Sequence, residues 1–318
     1  MDNQLINVKE SVKRRSPSKI RLTISNHWKG GKKMTKSMLL IGPPGSGKTV
    51  AFETLPGGTV DFNFDPGGWR SLDRPLISPE DRALISSGKK RGRIPKKILH
   101  ATTLREWLAI KENHLQPDEI LILDYEARLN TIQIGKSVQF DNKIFMESAM
   151  DINELDKPIS QGRGICHVCL DSLTWLQWCV LEAIVLFRGP TQSGYMGTDQ
   201  DVYGKSIEKM KEIIDTCCHL PFDFIMTAHI QSDKDAVTGK IKEEISIYGK
   251  KLPELIASMI DDIYYCQEDM TSGSARYLWS AHSQSFLKAM RTRSFDNLPD
   301  TFEANFQKLY GERLIHNG

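Results

Sequence analysis

Gly42-Pro43-Pro44-Gly45-Ser46-Gly47-Lys48-Thr49 is the stretch from which the rest of the chain is read. It fits the spacing G-x-x-x-x-G-K-[ST]. The apolar run Ser37-Met38-Leu39-Leu40-Ile41 before it predicts a buried strand, and Val50-Ala51-Phe52-Glu53-Thr54-Leu55 after it predicts the start of a helix. Strand, glycine-rich loop and helix, in that order, make a phosphate cradle. Glycines let the backbone curl so that its N–H groups converge on phosphate oxygens. The helix that follows adds the positive end of its dipole. In such a loop Lys48 reaches the β- and γ-phosphates, the Thr49 hydroxyl holds Mg²⁺, and residues 42–50 line the nucleotide, ATP.

The chain has 318 residues, room for one large α/β domain or two smaller ones. Its 40% hydrophobic and 26% charged content suit a globular protein with a substantial core. No apolar run nears the ~18 residues that span a bilayer, and no signal-peptide pattern opens the chain; the expectation is a soluble, cytoplasmic protein without membrane contact. Six cysteines are too sparse for a disulfide scaffold. A net charge of +2 says little, but its distribution says more. Residues 1–36 hold ten lysines and arginines against Asp2 and Glu10. They read as a partly flexible basic arm, solvated or in contact with nucleic-acid phosphate, with residues 20–24 alternating like an edge strand.

Downstream, Thr59-Val60-Asp61-Phe62-Asn63-Phe64-Asp65 alternates as a strand that Pro66-Gly67-Gly68 stops. Expected beside the phosphate-loop strand, it would aim Asp65 at the nucleotide crevice, to polarise the attacking water, hold the metal's water shell or merely cap the turn. Residues 70–97 are rich in Lys and Arg; Lys89, Lys90 and Arg91 lie in a glycine-flanked loop suited to phosphate-backbone contact or to plain solvation. Thr103, with Glu106 three residues on, starts a helix. Glu119-Ile120-Leu121-Ile122-Leu123-Asp124 predicts a buried strand, and residues 138–146 a hairpin or insertion.

The second sharp signal is Ile165-Cys166-His167-Val168-Cys169-Leu170-Asp171-Ser172-Leu173-Thr174. An apolar strand closing on Asp-Ser is the Walker B pattern, which makes Asp171 the Mg²⁺ partner and leaves Asp124 as a second candidate. Cys166 and Cys169, lacking a second pair for zinc, read as core cysteines. Residues 173–187 predict an apolar helix whose Trp175 and Trp178 belong in the core or a subunit interface. In the loop that follows, Tyr195 is free to stack on a base or to sit in an ordinary connector. Residues 222–229 predict a buried strand ending in Thr227-Ala228-His229, with His229 placed to sense the γ-phosphate or merely satisfied at the strand end. Residues 231–248 read as a long polar loop carrying Lys234 and Lys240, ordered on ligand binding. Residues 260–266 and 276–280 predict a hairpin, and 298–314 an amphipathic helix. Lys288, Arg291 and Arg293 either reach a neighbouring subunit's nucleotide or face solvent or nucleic acid.

Taken in order, residues 39–49, Asp65 to Gly68, Leu170 to Thr174, Met226 to His229, Thr238-Gly239, Gly249 to Leu252 and the cluster 288–293 resemble the RecA-like ATPase core, and more closely the phage-encoded, core-only RecA-like proteins of the Sak type. The resemblance spans about residues 37–310. It implies an α/β fold with a mostly parallel central sheet flanked by helices and a C-terminal β-hairpin extension: residues 37–318 as the ATPase domain after the arm 1–36, from whose pattern this chain departs by an added strand-hairpin insertion at about 112–150. It also implies ATP hydrolysis with Mg²⁺ at subunit interfaces, ring or filament assembly, single-stranded DNA at the central loops, a possible single-strand-binding partner and, if phage-encoded, the bacterial host cytoplasm. The family often has Glu where this chain has Asp65, and the insertion leaves Glu126 as an alternative activator of water. Two other functions stay open: an ATPase of another phage assembly, such as a helicase loader or packaging factor, and a small-molecule kinase.

Overall fold

β1 (Ser37–Gly42) is buried along its whole length, as an apolar strand covered on both faces must be. It belongs to a computed structural model that describes residues 36–73, 78–87, 89–90, 94–125, 133–134, 137–138, 142–189, 198–234, 239, 241–249, 251–269, 276–281, 290, 292–295 and 298–310. The further strands are β2 (Gly58–Asn63), β3 (Lys97–Ala101), β4 (Glu119–Asp124), β5 (Gln133–Ile134), β6 (Ser137–Val138), β7 (Ile165–Asp171), β8 (Asp223–Lys234), β9 (Ile241–Ile245), β10 (Asp262–Asp269), β11 (Arg276–Ser280) and β12 (Thr301–Glu303). The helices are α1 (Pro79–Ser86), α2 (Leu104–Ala109), α3 (Asn142–Leu155), α4 (Pro158–Gln161), α5 (Leu173–Arg188), α6 (Gln200–Cys218) and α7 (Leu252–Met259).

Among the described residues the main sheet runs β12-β11-β10-β1-β8-β7-β2-β4-β3, with β9 added to β8. From β10 to β3 every neighbouring pair is parallel. β11, β12 and β9 join antiparallel. This is the expected mostly parallel α/β sheet, and β10 with β11 forms the hairpin near the carboxyl end. β2 is not beside β1, as its acidic end had suggested: β8 and β7 lie between them.

Side chains alternate across each strand. One face carries Leu39, Ile41, Val60, Phe62, Leu121, Leu123, Val168, Leu170 and Met226, clustered with apolar residues of α5, α6 and α7. The other carries Met38, Leu40, Ile120, Ile122, Cys169 and Ile225, clustered with Phe52, Leu55, Trp279 and Phe306. Thr103 caps α2 by accepting from the Glu106 N–H at 3.1 Å, and Asp199 caps α6 by accepting from the Val202 N–H at 3.0 Å.

Several elements depart from the sequence pattern for local reasons. The helix after the phosphate loop is only a 3₁₀ turn, Thr49–Thr54, because Leu55 precedes Pro56 and is extended at φ −67°, ψ 130°. Residues 138–146 divide: β6 ends at Val138 and α3 starts at Asn142. The polar stretch 231–248 is largely a β-ribbon, with Ile230 paired to Ile245 and Lys234 to Ile241. The tail also divides, into β12 and a helical turn at residues 306–310 in which the Phe306 N–H donates to Thr54 Oγ1 at 2.9 Å. Cys169 is buried but Cys166 is exposed, as opposite strand faces require. Trp175 and Trp178 are exposed, so the α5 tryptophans are not core.

Candidate nucleotide site

The phosphate loop leaves β1 at Gly42 and turns at Gly45 and Gly47, both with positive φ. Gly47 has two reasons to be glycine. Its φ is +80°, and a Cβ there would lie 2.3 Å from the Tyr277 ring of β11. Pro44 and Gly45 face outward, while Ser46, Gly47 and Lys48 are buried. Lys48 Nζ donates to the Gly42 and Pro43 carbonyls at 3.0 and 2.9 Å. Burial lowers its pKa, and the nearby Cys266, Asp171 and Asp65 act the other way. An ammonium held by two carbonyls, in a place that disfavours its charge, is a ready partner for phosphate oxygens.

Opposite Lys48 stands the end of β7. Asp171 is fully buried, and each carboxylate oxygen accepts from a hydroxyl: Thr49 at 2.5 Å, and Thr227 on β8. Burial raises the Asp171 pKa, against the pull of those two hydroxyls. A cation is the group that would best compensate this carboxylate. Among the described residues no three His, Cys, Asp or Glu side chains are gathered to hold a metal by themselves. That fits Mg²⁺, which binds through one or two protein oxygens and takes the rest from phosphate and water. Thr49 and Asp171 are the residues that would hold it, and it would neutralise charge on the transferring phosphoryl group.

Asp65 lies just past β2. Its N–H donates to the Asp171 carbonyl at 2.9 Å, as does that of Phe64, which ties the β2 exit to the β7 end. His229 Nε2 donates to Asp65 Oδ2 at 3.0 Å. The His229 N–H in turn donates to Thr174 Oγ1 at 3.1 Å on the first turn of α5. His229 is thus fixed from both ends and holds the Asp65 carboxylate. A carboxylate so oriented can take a proton from water.

Asp124, the other candidate for the metal, is engaged elsewhere. Its oxygens accept from Asn63 Nδ2 at 3.3 Å and from Trp69 Nε1 at 2.7 Å. It tethers the turn that carries Asp65. Asn63 was not singled out in the sequence, and Thr227 and Thr174 were quoted within motifs without a role of their own. What reveals Asn63 and the place of Thr227 is register: Asn63 is level with both Asp124 and Asp171, and Leu170 is level with Met226, one residue before Thr227. The result is a polar row, Asp124–Asn63–Asp171–Thr227, across four adjacent strands.

Val50 is buried in the turn after the loop. Lys89 is exposed, and Lys90 pairs with Asp81 at 2.7 Å. Other cations of the basic stretch are also engaged: Arg82 with Asp118, Lys97 with Glu119, and Lys96 on the Thr59 hydroxyl and the Gly57 and Pro117 carbonyls. Lys234 closes β8. Arg293 is held through its backbone N–H by Asp262 at 2.8 Å. Residues 1–35, Arg91, Glu126, Tyr195, Lys240, Lys288 and Arg291 lie outside the described residues. Among the described residues no helix is long and apolar enough to cross a membrane.

No curated protein matches the chain. The family model for an AAA domain matches residues 109–294, more than half of the chain, from the end of α2 past β11. That span contains β7 with Asp171 and β8 with Thr227 and His229, and the phosphate loop stands upstream of it across the same sheet. The chain belongs to the AAA-domain family of P-loop ATPases.

Proposed function

We propose that this protein hydrolyses ATP with Mg²⁺ and uses the cycle to bind single-stranded DNA and promote annealing or recombination. The observation that carries the hydrolytic part is the meeting of two pairs at the strand ends: Thr49 with Asp171, and Asp65 with His229. Water attacks the γ-phosphorus, ADP leaves, and Asp65 takes the proton while His229 holds its second oxygen. Glu126 remains the alternative acceptor. The DNA part is supported by the basic arm 1–36, by Lys89, Lys90 and Arg91, by Lys234 at the end of β8, by Lys240 in the sequence that follows it, and by Tyr195 as a stacking ring. Self-association into a ring or filament is supported by the exposed Trp175, Trp178 and Leu186 of α5, apolar surface that a subunit contact would cover. In such an assembly Arg291 reaches the neighbouring nucleotide.

The test is the rate of phosphate release from ATP with and without single-stranded DNA. A rise of tenfold or more supports the reading. An unchanged rate leaves an ATPase of another assembly, and phosphate passed to a small acceptor rather than to water would make the protein a kinase.

A further inference from the structure

Asn63 is fully buried on β2, and its amide is oriented by its neighbours. Nδ2 donates to Asp124 Oδ1 and to the Asp65 carbonyl, both at 3.3 Å. Both partners only accept, so the nitrogen must face them and the oxygen must face the other way. That oxygen, Oδ1, is buried and accepts from no described group. It points toward the Asp171 side of the site: a Cβ placed on Gly68 would lie 3.0 Å from Asn63 Oδ1 and 3.2 Å from Asp171 Oδ2. A buried amide oxygen without a donor is costly, so one left at the edge of a ligand site awaits a donor that arrives with the ligand.

Resting on the nucleotide–magnesium reading above, we propose that Asn63 is a positioning residue for the hydrated cation. Its Oδ1 accepts a hydrogen bond from a water in the Mg²⁺ shell. The amide cannot turn away, because Asp124 and the Asp65 carbonyl hold its nitrogen. Asp124, held in turn by Trp69, serves here as the anchor of Asn63. Mg²⁺ retains several of its waters when bound, so an acceptor one water away from the ion fixes where the shell sits.

The test reads metal linkage rather than turnover. Binding of a fluorescent ADP analogue to the full chain is measured across a Mg²⁺ titration and again in EDTA. Asn63→Ala raises the Mg²⁺ concentration at half effect about tenfold and leaves the affinity in EDTA unchanged, a loss of about 1.4 kcal/mol. Asn63→Leu keeps the size, removes the acceptor and raises the Mg²⁺ midpoint in the same way; it serves alone if the alanine variant does not fold. Midpoints equal to wild type in both variants overturn the role, as does an EDTA affinity that falls by the same factor as the magnesium affinity. A wild-type protein whose nucleotide affinity ignores Mg²⁺ overturns the magnesium reading itself, a separate result.

Discussion

Gly68→Ala places one methyl group where the site is tightest. The new Cβ lies 3.0 Å from Asn63 Oδ1, 3.1 Å from Asp65 Cβ and 3.2 Å from Asp171 Oδ2, so these neighbours must each give by a few tenths of an ångström. Gly68 opens the short 3₁₀ turn Gly68–Ser71 without a positive φ, so the backbone itself tolerates alanine. Overpacking costs about 1–3 kcal/mol, at the low end for so small a shift. The loss of unfolded-chain freedom returns about 0.4–1 kcal/mol, which leaves a net stability change of about 1 kcal/mol or less. Catalysis is more exposed, since a misplacement of about 1 Å can cost about a hundredfold. Scaled to a few tenths of an ångström, ATP turnover falls about fivefold. Gly67→Ala is the control. Its φ of +69° makes it strained by about 1–2 kcal/mol, but its nearest neighbour is Arg70 Nη1 at 3.5 Å, an ordinary contact away from the carboxylates. Phosphate release at saturating ATP and Mg²⁺, with urea melts alongside, separates the two. The adjacent variants are expected to invert: one loses turnover and the other loses stability. Equal turnover in both would refute the placement of Asn63, Asp65 and Asp171 around this turn.

Lys48→Ala removes a buried cation and leaves the Gly42 and Pro43 carbonyls without that donor, effects of opposite sign on folding. Its melting point without nucleotide stays near wild type, while the stabilisation by nucleotide, about 2.7 kcal/mol at a hundred times the dissociation constant, is lost together with hydrolysis; wild-type turnover in this variant would remove Lys48 from the site. Asp61 is fully buried one layer below the site, and among the described residues neither of its oxygens has a hydrogen-bond partner. Burial, then the charges of Asp171, Asp124 and Asp65, push its pKa well above the usual carboxylate range. The folded state therefore keeps a proton that the unfolded chain releases above about pH 4, so this group's contribution to stability declines as pH rises from there. Asp61→Asn gains stability over wild type in urea melts from about pH 4 upward, and a difference that does not change between pH 4 and 8 would show that Asp61 is not held protonated.

The sheet was readable where strands are buried on both faces. Residues 37–41 and 119–124 are continuous apolar runs, and the structure makes β1 and β4 of them with little change. β2 was readable for a different reason: its alternation divides Val60 and Phe62, on the helix-packed face, from Thr59, Asp61 and Asn63 on the other. The order of strands was not readable. Nothing in a linear pattern says that β8 and β7 stand between β1 and β2, because parallel neighbours are brought together by crossovers whose length hides the pairing. The stretch 231–248 failed through composition. Its charged and polar residues mimic a loop, yet a two-stranded ribbon needs only paired backbones, with Ile230 and Ile245 side by side at its base.

For the site, the motif residues were legible and their partners were not. Lys48, Thr49 and Asp171 announce themselves by spacing, and the structure brings Thr49 and Asp171 to 2.5 Å. Asp65 and Asp124 looked alike, each an acid at or just past a strand end. What separates them is what they touch. Trp69 Nε1 and Asn63 Nδ2 occupy the two oxygens of Asp124, while Asp65 Oδ2 is held by His229. A single parallel register, Asp124 to Asn63 to Asp171, converts three ordinary polar residues into one row. A slip of one residue in either pairing would turn Asn63 into the helix-packed apolar face, carry Phe62 to the opposite one, and leave Asp171 facing a hydrocarbon. The apolar residues that never touch nucleotide therefore set the chemistry. Val60, Phe62, Val168 and Leu170 hold the register by burial, and the carboxyl-end row is arranged as a consequence of their packing.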